Sequence, residues 1–272
     1  MMHFRQVVIE KIIGHKYAID AKSLGDDSLL AWSNLGYWTR QHDYPLACQS
    51  LADQLAASIQ LKKSDRVLDL GCGQGASLLY WLHHYHVQQL SAVELQPRCI
   101  ELIQKNLPQV ASYCGSFLNL EQLPLNSFDV VMCIDAAYHS DLNLFLNAVT
   151  PVLNSKGRLA FHYLMWSDAW SQCSAWQQRQ YHYLLKGADV DWQHIMLRKE
   201  MSQTLIQHGF EQIEIQDFSE PVLKGFSDYI QHQCPEHRFG IAQFKIAMTA
   251  KLCRKLYRDG LLRYIQVSAV KV

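Results

Sequence analysis

The residues best suited to chemistry directly follow one short apolar run. The run is RVLDL (66–70), and glycines stand at positions 71, 73 and 75 immediately after it. Glycine lets the backbone reach positive φ and approach a ligand without a clash from a Cβ atom. The helix that should begin after the loop exposes backbone amides, which favour negative groups. The pattern therefore predicts a site for a ligand that lies against the backbone.

Two acidic residues beside this loop narrow the choice of ligand. Glu94 ends the next apolar run, about twenty residues on, where a carboxylate can accept hydrogen bonds from the ribose of an adenosine ligand. Gly71, Gly73 and Ala76 also fit the G-x-G-x-x-A spacing, so a nicotinamide dinucleotide is an alternative. Asp69 would repel its pyrophosphate, whereas S-adenosylmethionine (SAM) carries a cationic amino group and a sulfonium. Together with Gly75, this aspartate favours SAM.

Apolar runs and helical patterns alternate along most of the chain. The predicted strands are 66–70, 90–95, 110–115, 127–135, 158–166, 211–218 and the final 261–272. The predicted helices are 46–60, 76–86, 97–108, 141–154 and 198–210. Such alternation is typical of an α/β fold with a doubly wound, mainly parallel sheet, here of seven strands.

Two helical segments interrupt this alternation, and the second is broken near Cys234–Pro235. We expect them to cap the carboxyl ends of the strands, where open α/β sheets bind ligands. The predicted organisation is an N-terminal cap segment (1–44), a SAM-binding core (45–165), a helical cap insertion (166–197), a further core segment (198–218), a second helical cap (219–260) and a final core strand (261–272).

Several motifs resemble those of the class I SAM-dependent methyltransferases. VLDLGCGQG is similar to their first motif, AVEL to the second-strand motif, and LPLNSFDVV and VTPVLNSKGRLAF to the later core motifs. NLGYW (34–38) and GLLRYIQVSAVKV resemble the small-molecule branch that includes sterol, tocopherol and ubiquinone methyltransferases. The resemblance implies a Rossmann-like fold with an antiparallel last strand, SAM as the cofactor, and an enzyme that methylates a small molecule.

The resemblance also implies which residues bind the cofactor. In the family an acidic residue usually bonds the adenine amino group, but Ser116 stands at that position here. Its hydroxyl can still accept a bond, and Phe117 can cover the adenine face. The expected cofactor-binding residues are Asp69, Gly71, Cys72, Gly73, Gly75, Glu94, Leu95, Ser116, Phe117, Cys133 and Asp135.

Methyl transfer is an in-line displacement, and a hydroxyl, phenol or protonated amine acceptor must also lose a proton to a base. His139, in CIDAAYHS, follows the fourth predicted strand. The similar phosphoethanolamine methyltransferases carry a histidine shortly after this strand, paired with an N-terminal tyrosine. We expect His139 and Tyr37 to be catalytic, with Tyr138 as an alternative partner. Alternatively, His139 only begins the next helix, and Asp135 only ends a strand in a turn.

Aromatic residues near the ends of the predicted caps indicate an apolar or aromatic acceptor. Singly, each is more often a packing residue. The expected substrate-binding residues are Tyr37, Trp38, Tyr138, Trp166 and Trp170; Trp32 and Trp176 belong to the same group. The histidines of HHYH (83–86) lack acidic or cysteine partners at ligand spacing, so we expect no metal site.

Composition constrains the partners and the compartment. Lysine plus arginine equals aspartate plus glutamate, 25 each, so no global field attracts nucleic acid or an anionic membrane. Eight scattered cysteines suit free thiols in a reducing compartment. We find no secretory signal pattern or apolar run long enough for a membrane span, which predicts a cytoplasmic protein. A homodimer is compatible with the sequence.

Three other functions remain as alternatives at this point. The first is an NAD-dependent oxidoreductase, and the second is a SAM-binding module without catalytic activity. The third, a nucleic-acid methyltransferase, is disfavoured because IDAAYH stands where a base-gripping Asn/Asp-Pro-Pro-Tyr motif would follow the fourth strand. The favoured interpretation is a SAM-dependent methyltransferase that acts on a small-molecule acceptor.

Overall fold

A computed structural model describes residues 20–40, 43–233 and 240–272. Parts of the predicted N-terminal cap (residues 1–19 and 41–42) and the expected break near Cys234–Pro235 lie outside these residues. The strands are β1 (Arg66–Leu70), β2 (Gln89–Glu94), β3 (Ala111–Cys114), β4 (Phe128–Cys133), β5 (Leu153–Trp166), β6 (Met196–Leu197), β7 (Phe210–Asp217) and β8 (Leu262–Lys271).

The helices alternate with these strands and also form the two insertions. They are α1 (Tyr44–Ser58), α2 (Ala76–His83), α3 (Pro97–Asn106), α4 (Leu142–Val152), α5 (Ala175–Gly187), α6 (Arg198–Gln207), α7 (Gly225–Gln233) and α8 (Ile241–Asp259). Their boundaries have local causes. The Asp43 and Asp141 carboxylates accept bonds from the first-turn amides of α1 and α4, and Gly260, at φ +66°, ends α8.

The strands form one sheet in the order β3-β2-β1-β4-β5-β8-β7. The adjacent strands β3, β2, β1, β4 and β5 are all parallel. Strand β8 lies between β5 and β7 and is antiparallel to both, with Tyr163 of β5 opposite Ile265. This arrangement confirms the predicted doubly wound, Rossmann-like sheet with an antiparallel last strand. An eighth strand, β6, pairs with the end of β5. It was missed because two residues are too short to show a period.

The sheet separates two apolar layers, and β5 shows the alternation between them. Ala160 and Leu164 face a layer that contains buried residues of α1, α2, α7 and α8. Phe161 and Tyr163 face the other layer, which is built mainly from α4 and α6. The cap helices α7 and α8 therefore share an apolar core with α1. In the described parts of the chain, no helix has the length and apolar character that a membrane span requires.

Candidate functional site

The glycine loop between β1 and α2 requires glycine at three positions. Gly71, Gly73 and Gly75 have φ values of +72°, +56° and +95°. A Cβ at Gly73 would lie 2.8 Å from the hydroxyl oxygen of Ser33. The equivalent atoms at Gly71 and Gly75 would each come within 2.9 Å of a neighbouring side chain. Conformation and space therefore both exclude larger residues at these three positions of the loop.

Two buried carboxylates support the loop. Glu94 accepts from the backbone N–H of Gly73 through Oε2 and from that of Gln96 through Oε1, both at 2.9 Å. Asp69 is only 1% exposed, and its Oδ2 accepts from the Trp81 indole at 2.8 Å. Its Oδ1 is buried and meets no hydrogen-bond geometry in the described structure, although the Ser77 side chain is close enough to oppose the rise in the pKa of this carboxyl. Burial raises the pKa of Asp69 to about 6. A bound cation or hydrogen-bond donor would stabilise this carboxylate.

Residues 30–38 lie against the glycine loop, and we call them the cover segment. Besides Ser33 beside Gly73, the side chain of Leu30 is 3.7 Å from the position of a Cβ at Gly75. The Tyr44 hydroxyl, at the start of α1, donates to the Asn34 carbonyl at 2.8 Å. Trp32 and Asn34 are buried, so the cover segment is an integrated part of the fold.

Asp135, just after β4, connects the cover segment to the sheet. Its Oδ2 accepts from the backbone N–H of Leu35 at 2.8 Å. Its Oδ1 accepts from the hydroxyls of Tyr138 and Tyr264 at 2.9 and 3.0 Å. Desolvation raises the pKa of Asp135 to about 6, although these three hydrogen bonds oppose the rise. The backbone of Asp135 has φ +54°, which turns the chain at the edge of the sheet.

His139 ends a single 3-10 turn that follows Asp135, and the helical insertion orients it. Its Nδ1 is 3.1 Å from the backbone carbonyl oxygen of Asp189. A carbonyl oxygen only accepts, so the contact requires the proton on Nδ1. The neutral ring then carries its lone pair on Nε2. The ring also lies against that of Tyr138, with centroids 4.5 Å apart.

The two aromatic residues of the cover segment pack on the second cap. Tyr37 meets Phe218 edge to face at 5.0 Å. Trp38 stacks on Tyr229 at 4.2 Å, and its backbone N–H donates to the Pro221 carbonyl at 2.9 Å. The Trp38 side chain lies so close to Gly225 that a Cβ there would collide with it. This packing fixes the end of the cover segment.

The tryptophans of the helical insertion mainly contact one another. Trp166 and Trp170 stack in parallel with centroids 3.7 Å apart, and Trp170 also meets Tyr181 and Trp192. Trp176 is 68% exposed on α5 and lies at the surface. The stacked pair therefore has an evident packing role at the end of β5.

The remaining predicted cofactor residues surround the same edge. Phe117 lies beside Gly71 and meets Phe145 edge to face at 5.8 Å. The Ser116 hydroxyl accepts from the backbone N–H of Leu118 at 3.2 Å. Cys72 and Cys133 are buried, which raises the pKa of both thiols well above the usual range. Leu95 is exposed at the end of β2.

Four residues at this edge were not identified from the sequence. Trp81 donates a hydrogen bond to Asp69, and Tyr264 donates one to Asp135. Ser33 lies beside Gly73, and the Asp189 carbonyl contacts His139. Trp81 could have been found, because it lies on the predicted helix that starts at the loop. The others depend on contacts between distant parts of the chain, which local sequence patterns do not reveal.

Comparison with known proteins shows which family this edge resembles. A family model described as a methyltransferase domain matches residues 68–161. The glycine/sarcosine/dimethylglycine N-methyltransferase of Actinopolyspora halophila is 33% identical over 143 residues, which are 49% of this chain and 24% of that protein. The erythromycin 3''-O-methyltransferase of Saccharopolyspora erythraea is 25% identical over 220 residues, 77% of this chain and 71% of that protein. Together these matches support a class I SAM-dependent methyltransferase.

Solved structures share the fold of this chain. The geranyl diphosphate C-methyltransferase of Streptomyces coelicolor A3(2) superposes with a TM-score of 0.74 at 16% identity, covering 99% of this chain and 98% of that one. A putative sarcosine dimethylglycine methyltransferase from Galdieria sulphuraria gives 0.72 at 16%, covering 92% and 96%. The [4+2]-cyclase SpnF gives 0.68 at 19%, covering 92% and 91%. Because these proteins are named for different reactions, the shared fold leaves the acceptor open.

The curated relatives differ in how much of their own length this chain matches. It spans about a quarter of the Actinopolyspora protein and about seven-tenths of the erythromycin enzyme.

Among the residues that the structure describes, no group of three or more histidine, cysteine, aspartate or glutamate side chains lies together so that it could hold a metal ion.

Proposed function

We propose that this methyltransferase transfers the methyl group of SAM to a hydroxyl or amine of a small molecule with an apolar or aromatic body. The observation that carries the proposal is the junction at Asp135. There the cover segment, the turn after β4 and strand β8 meet through three hydrogen bonds to one carboxylate. The next residue, Ala136, lies against Gly71 of the glycine loop. A cofactor on the loop and an acceptor at this junction would be neighbours.

The residues present fit SAM. The glycine loop has the left-handed backbone, without Cβ atoms, that lets an adenosine ligand approach closely, and Oδ1 of Asp69 is buried without a hydrogen bond of good geometry in the described structure. We assign Asp69 to the cationic aminoacyl end, Glu94 to the ribose hydroxyls and Phe117 to the adenine face. SAM supplies an electrophilic methyl group on a good leaving group. The protein must then mainly position the acceptor and exclude water.

His139 is the proposed general base. The Asp189 carbonyl holds the proton on Nδ1, so the neutral ring carries an accepting lone pair on Nε2. Burial, with Asp135 beside it, raises the pKa of the Tyr138 hydroxyl well above its ordinary value. Tyr138 therefore stays protonated near neutral pH and acts as a donor to Asp135. Because His139 offers a lone pair and Tyr138 keeps its proton, His139 is favoured over Tyr138 as the group that takes the acceptor's proton.

The acceptor site is proposed between the cover segment and the two caps. Tyr37 and Tyr138 would form the walls nearest the reacting atoms, while Trp38 holds the cover segment on the second cap. The two curated relatives are named as an N-methyltransferase and an O-methyltransferase. Those names support nitrogen or oxygen as the methylated atom, and both kinds of acceptor need a base when they are protonated.

Transfer of a labelled methyl group tests this proposal. The protein would be incubated with SAM carrying a deuterated methyl group and a panel of small aromatic and aliphatic amines and alcohols. We expect a labelled product together with an equal amount of S-adenosylhomocysteine, and loss of both with His139→Ala. Tight SAM binding without a product from any class of acceptor would instead favour a non-catalytic SAM-binding module.

A further inference from the structure

The outer face of α8 carries an exposed apolar row. Ile241, Phe244 and Met248 are 74%, 67% and 49% exposed. Their spacing of three and four residues places them along one line of the helix. Three large apolar side chains in line on one helix form a continuous patch, unlike the isolated exposed residues that are normal on a protein surface.

The inner face of the same helix is firmly packed. Ala250, Cys253 and Leu256 are buried in the layer that also contains α1 and α7. Cys253 lies near enough to Asp135 and Tyr138 to interact with them electrostatically. The rotation of α8 is therefore fixed by its core contacts. Its outer row faces away from the candidate site that its inner face covers.

Basic residues continue the apolar row toward the end of α8. Lys251, Lys255 and Arg258 follow Met248 at steps of three, four and three residues, so they lie on nearly the same line. Lys255 and Arg258 share one acidic partner, Asp259, so the row keeps a net positive charge. The whole helix has five basic residues and one acidic residue, Asp259. The chain as a whole is balanced at 25 of each charge. The neutral total therefore conceals a local basic surface on the cap.

We propose that the outer face of α8 binds the surface of an anionic lipid bilayer. The apolar row would enter the boundary between headgroups and acyl chains, and the basic row would lie at the lipid phosphates. This helix would lie on the membrane without crossing it. A two-fold contact with a second copy fits less well, because the basic row would then face either another basic row or an apolar one.

Binding of the full chain to vesicles tests the proposal. Co-sedimentation would compare vesicles of pure phosphatidylcholine with vesicles that contain equal parts of phosphatidylcholine and phosphatidylglycerol. We expect binding only to the second kind, weakened by salt. The double variant Phe244→Ser with Met248→Ser should bind roughly tenfold more weakly, and Lys251→Gln with Arg258→Gln should lose the salt dependence and bind more weakly.

Ile206→Ser provides a matched control. Ile206 is 62% exposed on α6, whose buried residues belong to the opposite layer of the sheet. This variant should bind the vesicles as tightly as the wild-type protein does. Circular dichroism and SAM titration would verify that each variant is folded.

Three results would overturn the proposal. The first is no binding of the unchanged protein to the anionic vesicles. The second is equal binding to both kinds of vesicle, which would remove the role of the basic row. The third is a dimer that dissociates on Phe244→Ser while vesicles are ignored, which would assign the face to a second copy of the chain.

Discussion

The backbone N–H of Leu35 donates to the Oδ2 atom of Asp135 at 2.8 Å, across 100 residues of sequence. This hydrogen bond attaches the cover segment to the turn after β4. Oδ1 of the same carboxylate holds the hydroxyls of Tyr138 and Tyr264. One side chain thus joins the cover segment, the turn after β4 and strand β8 at the edge where the cofactor and acceptor are proposed to meet.

Removing this carboxylate should loosen the edge of the sheet. Asp135→Ala leaves three donors without their acceptor, and we expect unfolding in urea to show a loss of about 2–4 kcal/mol. Asp135→Asn keeps one acceptor oxygen, for the N–H of Leu35, and turns its NH2 group toward the two hydroxyls, whose oxygens can accept, so it should lose less stability than Asp135→Ala. Asp228→Ala removes a surface partner of Arg254 and serves as the control, with a loss of about 0–1 kcal/mol. Equal losses at positions 135 and 228 would refute the special role of Asp135.

The Asp69 carboxyl should make stability fall as the pH rises. Burial raises its pKa to about 6 in the folded protein, above the value of about 3.9 for an unfolded chain. The protonated carboxyl contributes its full stabilisation at pH values below the pKa of Asp69 in the unfolded chain. This stabilisation is lost as the pH rises through the pKa of Asp69 in the folded protein. Between the two values, Asp69→Asn should make the slope of the unfolding free energy against pH less negative by about 1.4 kcal/mol per unit. An unchanged slope in urea titrations across this range would contradict the buried environment of Asp69.

His139→Ala should slow the chemical step and spare cofactor binding. Loss of a general base typically lowers the rate by about 10²–10⁴-fold. Single-turnover measurements at several pH values would detect this loss and the disappearance of a pH dependence due to an imidazole. His139→Gln, which keeps a polar side chain, is the control and should be nearly as slow. Rates equal to those of the original protein would remove His139 from the mechanism.

Gly225→Ala should disturb the end of the cover segment. The new Cβ would collide with Trp38, and such overpacking costs about 1–3 kcal/mol. The variant should also release SAM faster, measured by stopped-flow displacement. Gly187→Ala is a matched control, because a Cβ at Gly187 in α5 meets no atom within 4 Å. That change should be neutral or stabilise by up to about 1 kcal/mol. If both variants unfolded and released SAM alike, Trp38 would not anchor the cover segment.

Local sequence patterns were sufficient for most of the fold. The bounds of β1 were predicted correctly because a buried apolar run ends there at Gly71. The predicted fifth strand began too late, since β5 starts at Leu153 and passes through the turn-like Lys156 at φ +62°. The hydrophobic periodicity of a sequence indicates which face of a helix or strand is buried. It indicates less well at which residue a strand begins to pair with its neighbour.

The candidate site was only partly predictable for a related reason. Asp135 and His139 were predicted as site residues because Asp135 ends the fourth predicted strand and His139 follows it at the carboxyl edge. Their partners Leu35, Tyr264 and Asp189 come from distant segments, and hydrogen bonds between such segments leave no periodic signal. The stacking of Trp166 on Trp170 was missed in the same way.

Calorimetric titration of SAM is the most direct test of the central claim that the glycine loop holds this cofactor. We predict that SAM and S-adenosylhomocysteine bind the protein, that NAD does not, and that Gly73→Arg abolishes binding because no side chain fits beside Ser33. Circular dichroism would verify that this variant is folded. Binding of NAD in place of SAM, or undiminished SAM binding by a folded Gly73→Arg protein, would contradict the account.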